Sequence, residues 1–204
     1  MLTVERFNQL LTPTGQTALH VAQSLDLSPA ARLRTVGELR RQYSAELATD
    51  ALEMAVLRER ARVKFQRGAE LYWTREALEQ ASGEAVAHHR AARYREWGSA
   101  TDLCCSVGGD LLALAQVGVA VTGVDRDAVR LRMAEVNAEI YGVADRTNFL
   151  LADVTTAPLM LAPPSSSTQP GALASAAAST PTIIAHLYGR SSAGCRRLKA
   201  WASK

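Results

Sequence analysis

The sequence predicts an α/β fold in which a helical N-terminal region precedes part of a doubly wound parallel sheet. Three short apolar segments carry an acid at or near their carboxyl end: Asp102, Asp125 and Asp153. A segment of helical character separates each of them from the next. In sheets of this kind, ligands bind in a crevice at the carboxyl ends of the strands. The three acids are therefore candidates for one binding site.

Residues 1–70 are predicted to be a helical region. Ser28-Pro29 is a start signal, because serine caps a helix and proline suits its first position. Ser44 is expected to cap a long helix that runs through Phe65. The basic second half of that helix fits a solvated face near a helix C-terminus, or a face that contacts RNA. Its basic residues are Arg58, Arg60, Arg62, Lys64 and Arg67.

Two more helices are predicted between this region and the sheet. Thr74, in the segment Tyr72-Trp73-Thr74, is the expected N-cap of the first helix. The second is expected from Glu84 to Trp97, with Gly98 at its C-terminal end. The alternation of strands and helices begins only after this point.

The first predicted strand leads into a loop of small residues, Asp102-Leu103-Cys104-Cys105-Ser106-Val107-Gly108-Gly109-Asp110. Small side chains allow the backbone to approach a ligand closely. Gly108, Gly109 and Asp110 are expected to open the next helix, whose N–H groups point at the crevice. Cys104 and Cys105 are neighbours on a strand and point to opposite faces, so they cannot jointly bind one metal ion. The sequence assigns no metal ligand and no catalytic residue.

The second and third strands also end in carboxylates. The segment Val119 to Val124 leads to Asp125, where a carboxylate can accept hydrogen bonds from two ribose hydroxyls. The segment Phe149 to Ala152 leads to Asp153, while Asp127 is expected to cap the intervening helix. A nicotinamide-dinucleotide site would require glycine at positions 104, 106 and 109, and only the last is glycine. That class of site is therefore disfavoured.

From Ala51 to Asp153 the chain resembles the class I S-adenosylmethionine-dependent methyltransferases. The run Val136-Asn137-Ala138-Glu139-Ile140-Tyr141-Gly142-Val143-Ala144-Asp145 is similar to the trimethylguanosine-synthase branch and its bacterial relatives with a THUMP-like domain. The resemblance implies an incomplete Rossmann-like sheet and S-adenosylmethionine as cofactor. In the family pattern three alternating glycines follow the first acid. Here Cys104 and Ser106 occupy the first two positions, where any positive φ would cost them more than glycine.

The resemblance also implies roles for the residues of a cofactor site. Asp125 would bind the ribose hydroxyls, and Asp153 would contact the amino group of adenine. An aromatic-threonine segment helps to close over the cofactor in these families, so Tyr72-Trp73-Thr74 would line the pocket; packing of a helix on the sheet is the alternative. The expected cofactor-binding residues are Asp102, Cys104, Ser106, Gly108, Gly109, Asp110, Asp125, Asp153 and Thr74.

In this interpretation residues 1–70 are a helical region, residues 71–153 the first half of a methyltransferase domain, and residues 154–204 a low-complexity tail. The tail holds five of the 23 bases and none of the 20 acids, so the net positive charge of the chain comes from the tail alone. For the same reason, charge makes only a weak case for nucleic acid. The tail is expected to be largely irregular.

The tail also lacks the motif that follows the fourth strand in the resembled families. Enzymes that methylate exocyclic amines carry Asn/Asp-Pro-Pro-aromatic there, and the THUMP-like branch carries Asp-Pro-Ala-Arg-Arg; neither occurs here. Codons for Ser165 to Ala172 are compatible with Asp-Pro-Ala-Arg-Arg in the neighbouring frame. We therefore hypothesise a frameshift between Asp153 and Ser165, with a natural low-complexity linker as the alternative.

The resemblance implies a methyltransferase that acts on RNA, with guanine N2 as a candidate acceptor. Because the motif after the fourth strand is missing, this chain is expected to be inactive. The alternative is a non-catalytic remnant or a helical interaction module that keeps a partial cofactor site. The N-terminus has no signal pattern and no apolar run is long enough to span a bilayer, which predicts a cytoplasmic protein without a membrane partner. The sequence leaves the oligomeric state open.

Overall fold

The computed structural model describes residues 2–155 and the backbone of residues 182–185. The chain divides into two compact units, Met1–Glu79 and Gln80–Lys204. The domain limits expected at residues 70 and 153 stay predictions. Among the described residues, no helix is both long and apolar enough to cross a membrane.

The first unit is helical, as the sequence predicts. Its helices are α1 (Val4–Leu11), α2 (Pro13–Ser24), α3 (Arg32–Leu39), α4 (Ala45–Ala61) and α5 (Arg75–Gln80). Hydroxyl side chains cap most of them, because each accepts a backbone N–H that has no partner inside the helix. The caps are Thr3, Thr12 and the predicted Ser44 and Thr74. The predicted Ser28 caps a 3₁₀ turn, Pro29–Ala31, that leads into α3.

Helix α4 is shorter than predicted, since it ends at Ala61 and not at Phe65. Gly68 explains the early end: a Cβ on this residue would lie 2.5 Å from the carbonyl carbon of Ala61, so only glycine lets the chain fold back this closely. The return places Phe65 against Trp73, with ring centroids 4.6 Å apart. Burial of these rings therefore determines where the helix stops, a tertiary effect that local sequence does not encode.

The second unit alternates helices with parallel strands. Its elements are α6 (Glu84–Ala91), β1 (Ser99–Leu103), α7 (Gly109–Gln116), β2 (Ala120–Asp125), α8 (Ala128–Tyr141), β3 (Thr147–Leu151) and β4 (Thr182–Ala185). The strand order is β3-β2-β1-β4, and every pairing is parallel. The α/β fold and the order β3-β2-β1 are thus confirmed. Buried apolar residues of α7 and α8 pack with β2 to form the core.

Two details of this unit differ from the predictions. Helix α6 ends at Ala91, and a 3₁₀ turn over Ala92–Tyr94 precedes β1, so no helix reaches Trp97. The turn changes the chain direction before the extended backbone of β1 begins. In addition, β4 lies within the tail that was expected to be largely irregular; the backbone of Thr182–Ala185 pairs with β1. The remainder of the tail lies outside the described residues.

Candidate functional site

Asp102 is the most deeply buried acid near the carboxyl end of β1. Its side chain is 1% exposed, and neither carboxylate oxygen has a partner at hydrogen-bond distance and angle, although the nearby backbone N–H of Leu111 in α7 favours the ionised carboxyl. Burial, followed by the charges of Asp110 and Asp125, raises the pKa of Asp102 well above its usual range. Buried polar groups in proteins are normally paired. An unpaired carboxyl at a strand end is therefore a mark of a site that receives a donor group.

In the loop after β1, every second residue from Cys104 to Gly108 has a left-handed backbone conformation. The φ angles of Cys104, Ser106 and Gly108 are 66°, 54° and 93°, and these are the three positions that the family pattern gives to glycine. A left-handed backbone costs a non-glycine residue roughly 1–2 kcal/mol. Backbone bonds maintain the geometry: Cys105 N–H donates to the Val124 carbonyl at 3.0 Å, and Gly108 N–H donates to the Cys105 carbonyl at 2.9 Å.

The lack of a side chain at Gly123 of β2 leaves space for the loop after β1. A Cβ at Gly123 would lie 2.5 Å from Cδ1 of Leu111 and 2.8 Å from Sγ of Cys105. The sequence analysis assigned Gly123 no role, although a glycine within a strand often marks a close approach of other atoms. Cys105 fills the space, and its burial raises the pKa of the thiol well above its usual range.

Asp125, the last residue of β2, connects the two strand ends. Its Oδ2 accepts a hydrogen bond from the Ser106 N–H at 2.9 Å, and its Oδ1 accepts one from the Asp127 N–H at 3.0 Å. The side chain of Asp127 in turn caps α8 by accepting from Val129 and Arg130. The structure thus brings together the loop residue and the strand-end acid that the resemblance places in one cofactor site.

Helix α7 begins at this loop with its first N–H groups uncapped by a side chain. Gly108 is its N-cap residue, and Gly109 and Asp110 form its first turn. The Asp110 carboxylate forms an ion pair with Arg90 of α6. Nη2 of the same arginine donates to Ser82 Oγ at 3.4 Å. Free N–H groups at a helix start favour a negatively charged ligand group. Arg90 had no sequence signal, because its partner is 20 residues away along the chain.

Two family profiles match parts of this chain. Residues 3–61 match a family described as a domain of unknown function, and residues 98–187 match one described as RNA cap guanine-N2 methyltransferase. Two curated proteins from Mycobacterium tuberculosis, strains CDC 1551 and H37Rv, are named uncharacterized S-adenosylmethionine-dependent methyltransferases. They are 43% identical to this chain over 72 residues, which is 35% of this chain and only 20% of their own length. The second half of this chain is therefore similar to S-adenosylmethionine-dependent methyltransferases.

Two further similarities agree with that assignment. The 23S rRNA (uracil(1939)-C(5))-methyltransferase RlmD of Acidithiobacillus ferrooxidans is 38% identical over 56 residues, 28% of this chain and 13% of that protein. The crystal structure of a Porphyromonas gingivalis W83 protein named "putative methyltransferase" superposes with a TM-score of 0.51 and 19% identity, covering 67% of this chain and 35% of that one. The structural likeness supports the fold alone.

The run that carries the resemblance has a clear structural role in the second unit. Asn137 of α8 is fully buried, and its Nδ2 donates to the Val107 carbonyl at 3.1 Å. Gly142 then ends α8 with a φ of 69°, and the Tyr141 hydroxyl lies 2.8 Å from Glu84 of α6. Asn137 therefore anchors the loop between β1 and α7, a positioning role that the sequence analysis did not assign.

Of the remaining predicted site residues, Asp153 lies beside the end of β2, where the neighbouring Ala152 N–H donates to the Asp125 carbonyl at 3.0 Å, and Thr74 lies in the first unit. Asp153 follows β3, where its Oδ1 accepts from the N–H and hydroxyl of Thr155 at 2.9 and 2.6 Å; these bonds lower the pKa of Asp153. Its Oδ2 lies 4.0 Å from Arg126. Thr74 belongs to the first unit, where its hydroxyl accepts from Ala77 N–H and caps α5.

The aromatic residues before Thr74 are core residues of that first unit. Tyr72 is 3% exposed and packs edge to face with Phe7, while Arg58 lies over its ring at 4.5 Å. Trp73 is 2% exposed and packs against Phe65. Both side chains thus pack inside the first helical unit, whereas the alternative to a pocket role was packing of a helix on the sheet. The cofactor contact of Thr74 stays a prediction.

Proposed function

We propose that this domain binds S-adenosylmethionine and belongs to a methyltransferase that acts on RNA, with guanine N2 as the acceptor. The proposal rests on the contact between the carboxyl ends of β1 and β2. The loop after β1 has residues with a left-handed backbone, and its Ser106 N–H donates a hydrogen bond to the Asp125 carboxylate at the end of β2. The RNA part is supported by the family described as RNA cap guanine-N2 methyltransferase, which matches residues 98–187. We assign the chain to the trimethylguanosine-synthase-like branch for the same reason.

The residues present fit this cofactor. The unpaired Asp102 carboxyl offers acceptors for a donor group, and the uncapped start of α7 offers N–H groups for an anionic one. Asp125 would bind the ribose hydroxyls while it holds the loop, and Asp153 would contact the adenine amino group. The bound cofactor supplies an electrophilic methyl group. What this chain contributes to the transfer is positioning, which can account for a large part of the rate in such reactions.

We further propose that the chain as written does not transfer methyl groups. It lacks the polar motif after the fourth strand that would orient the acceptor amine in the resembled families. The second candidate function, a remnant that keeps a partial cofactor site, is favoured by the same missing motif. A misplacement of about 1 Å can cost about 100-fold in rate, so loss of the orienting group is expected to cost more.

Methyl-labelled cofactor tests the proposal directly. The full chain and a variant restored to the neighbouring frame after Asp153 are each incubated with total RNA. The restored variant is expected to label guanine N2, identified by nuclease digestion and chromatography, and the chain as written is expected to transfer nothing. Equal transfer by both would show that the tail functions as written. No transfer by either would contradict the proposed activity. Sequencing the genomic DNA across the segment tests the frameshift itself.

A further inference from the structure

We propose that the turn between α6 and β1 is a contact surface for single-stranded RNA, formed by Tyr94, Trp97, Arg93 and Arg95. This inference rests on the proposed function and adds to it a place where the acceptor RNA is held, away from the cofactor residues. The surface is defined by these four residues, two aromatic and two basic. All four belong to the second unit.

The aromatic pair leaves an indole face available. Tyr94 and Trp97 pack edge to face, with ring centroids 4.6 Å apart and an interplanar angle of 86°. In an edge-to-face pair, the edge of one ring points at one face of the other ring. Whichever ring presents its edge, Tyr94 covers at most one of the two faces of the Trp97 indole. Tyr94 is half-buried against the core, whereas Trp97 is 39% exposed. An anchored, partly exposed indole is the type of platform on which unpaired bases stack.

The charges around the pair favour an anion. Arg93 and Arg95 are both exposed and have no ion-pair partner among the described residues, while Glu96 is the one acid of the turn. The turn that precedes β2 lies next to this surface, because the Ala120 N–H donates to the Gly98 carbonyl at 3.3 Å. Residues 116–119 of that turn read Gln-Val-Gly-Val and carry no charge. Two exposed arginines in the same turn as an aromatic platform supply the charges and the stacking surface that a single strand requires.

The location separates this surface from the cofactor residues. Trp97 precedes β1, whereas Asp102 and the left-handed loop lie at the opposite, carboxyl end of the same strand. Strands rise about 3.3 Å per residue, so β1 alone, from Ser99 to Leu103, separates the two ends by roughly 13 Å. A substitution at Trp97 therefore need not disturb cofactor binding, and the two properties can be measured independently.

The test is fluorescence anisotropy of a labelled single-stranded oligoribonucleotide with the full chain. Trp97→Ala is expected to weaken binding about 5- to 150-fold, the range for loss of one base–aromatic stack. Trp97→Phe, which keeps a ring, is expected to retain most of the affinity. Arg93→Gln and Arg95→Gln are each expected to lower the slope of log affinity against log salt by about 0.7. Arg146→Gln, an exposed arginine on another turn, is the matched control and should lower it by less.

The outcomes separate this inference from the proposed function. Calorimetric titration with S-adenosylmethionine runs in parallel on every variant, and unchanged cofactor affinity shows that the fold is intact. RNA binding that Trp97→Ala leaves unaltered overturns the inference, whatever the cofactor result. Absence of RNA binding, together with self-association that depends on Trp97 in sedimentation velocity, would overturn it in favour of a protein contact. RNA binding through Trp97 without cofactor binding would support the surface and contradict the proposed function.

Discussion

At the scale of the residue, Ser106 holds a backbone conformation that its side chain disfavours. Its φ is 54°, and its Oγ is buried without a hydrogen-bond partner. Ser106→Gly removes both costs, against the greater chain entropy of glycine in the unfolded state. We expect a gain of about 0.5–1 kcal/mol in the free energy of unfolding, measured with urea. Ser99→Gly in the extended strand β1 is the control and should lose about as much. A loss for both variants would contradict the strained loop.

Asp102 gives a residue-scale prediction about pH. Its pKa is raised in the folded state, so the neutral carboxyl stabilises the fold fully at low pH, and this stabilisation is lost as pH rises from the unfolded pKa towards the folded one. Asp102→Asn should therefore gain stability relative to the native chain as pH rises above about 4, by at most about 1.4 kcal/mol per pH unit. Urea unfolding between pH 4 and pH 7 measures the difference.

The control for this profile is Asp145→Asn, because the Asp145 side chain is 73% exposed. Its profile gives the effect of removing one exposed carboxylate, against which the profile of Asp102→Asn is compared. The charges of Asp110 and Asp125 raise the pKa of Asp102, and the charge of Arg90 lowers it. The change of unfolding free energy with pH therefore reflects these neighbours as well as the burial of Asp102. If the Asp102→Asn and native profiles run parallel, Asp102 is not the buried neutral acid described above.

At the scale of the element, α8 holds the loop between β1 and α7. The bond from Asn137 Nδ2 to the Val107 carbonyl joins them in the buried interior. Asn137→Ala is expected to cost about 1–3 kcal/mol of stability, because the carbonyl is left unpaired away from water. It should also weaken cofactor binding, since the loop loses its anchor. Asn148→Ala, at an exposed position of β3, is the control. Equal effects of the two substitutions would show that the anchor is unimportant.

The elements also show what the sequence could predict. Strands that end at Asp125 and near Asp153 are local patterns, and a parallel sheet necessarily gathers their carboxyl ends at one edge. The resemblance supplied the glycine positions, and the structure shows positive φ at all three although two are Cys104 and Ser106. The end of α4 at Ala61 accompanies the packing of Phe65 against Trp73, which helix propensity does not encode. Arg90 pairs with Asp110, which lies 20 residues further along the chain. No short window of sequence contains both partners of such a contact.

At the scale of the whole molecule, the two units have separate family relationships. Residues 3–61 match a domain of unknown function, while the methyltransferase match begins at residue 98. The chain spans 20% of the length of its M. tuberculosis relatives, so the activity of a whole protein has to be measured on this chain. What the geometry supports for the molecule is a cofactor site built from β1, α7 and β2.

Calorimetric titration of the full chain with S-adenosylmethionine tests that site most directly. The native chain should bind, and Asp125→Ala should weaken binding by about 1–3 kcal/mol, because buried ribose hydroxyls and the Ser106 and Asp127 N–H groups would lose their acceptor. Asp145→Ala, an exposed acid of the same unit, should bind as the native chain does. Absence of binding heat at millimolar cofactor, or equal affinity of the Asp125→Ala and native chains, would contradict the account.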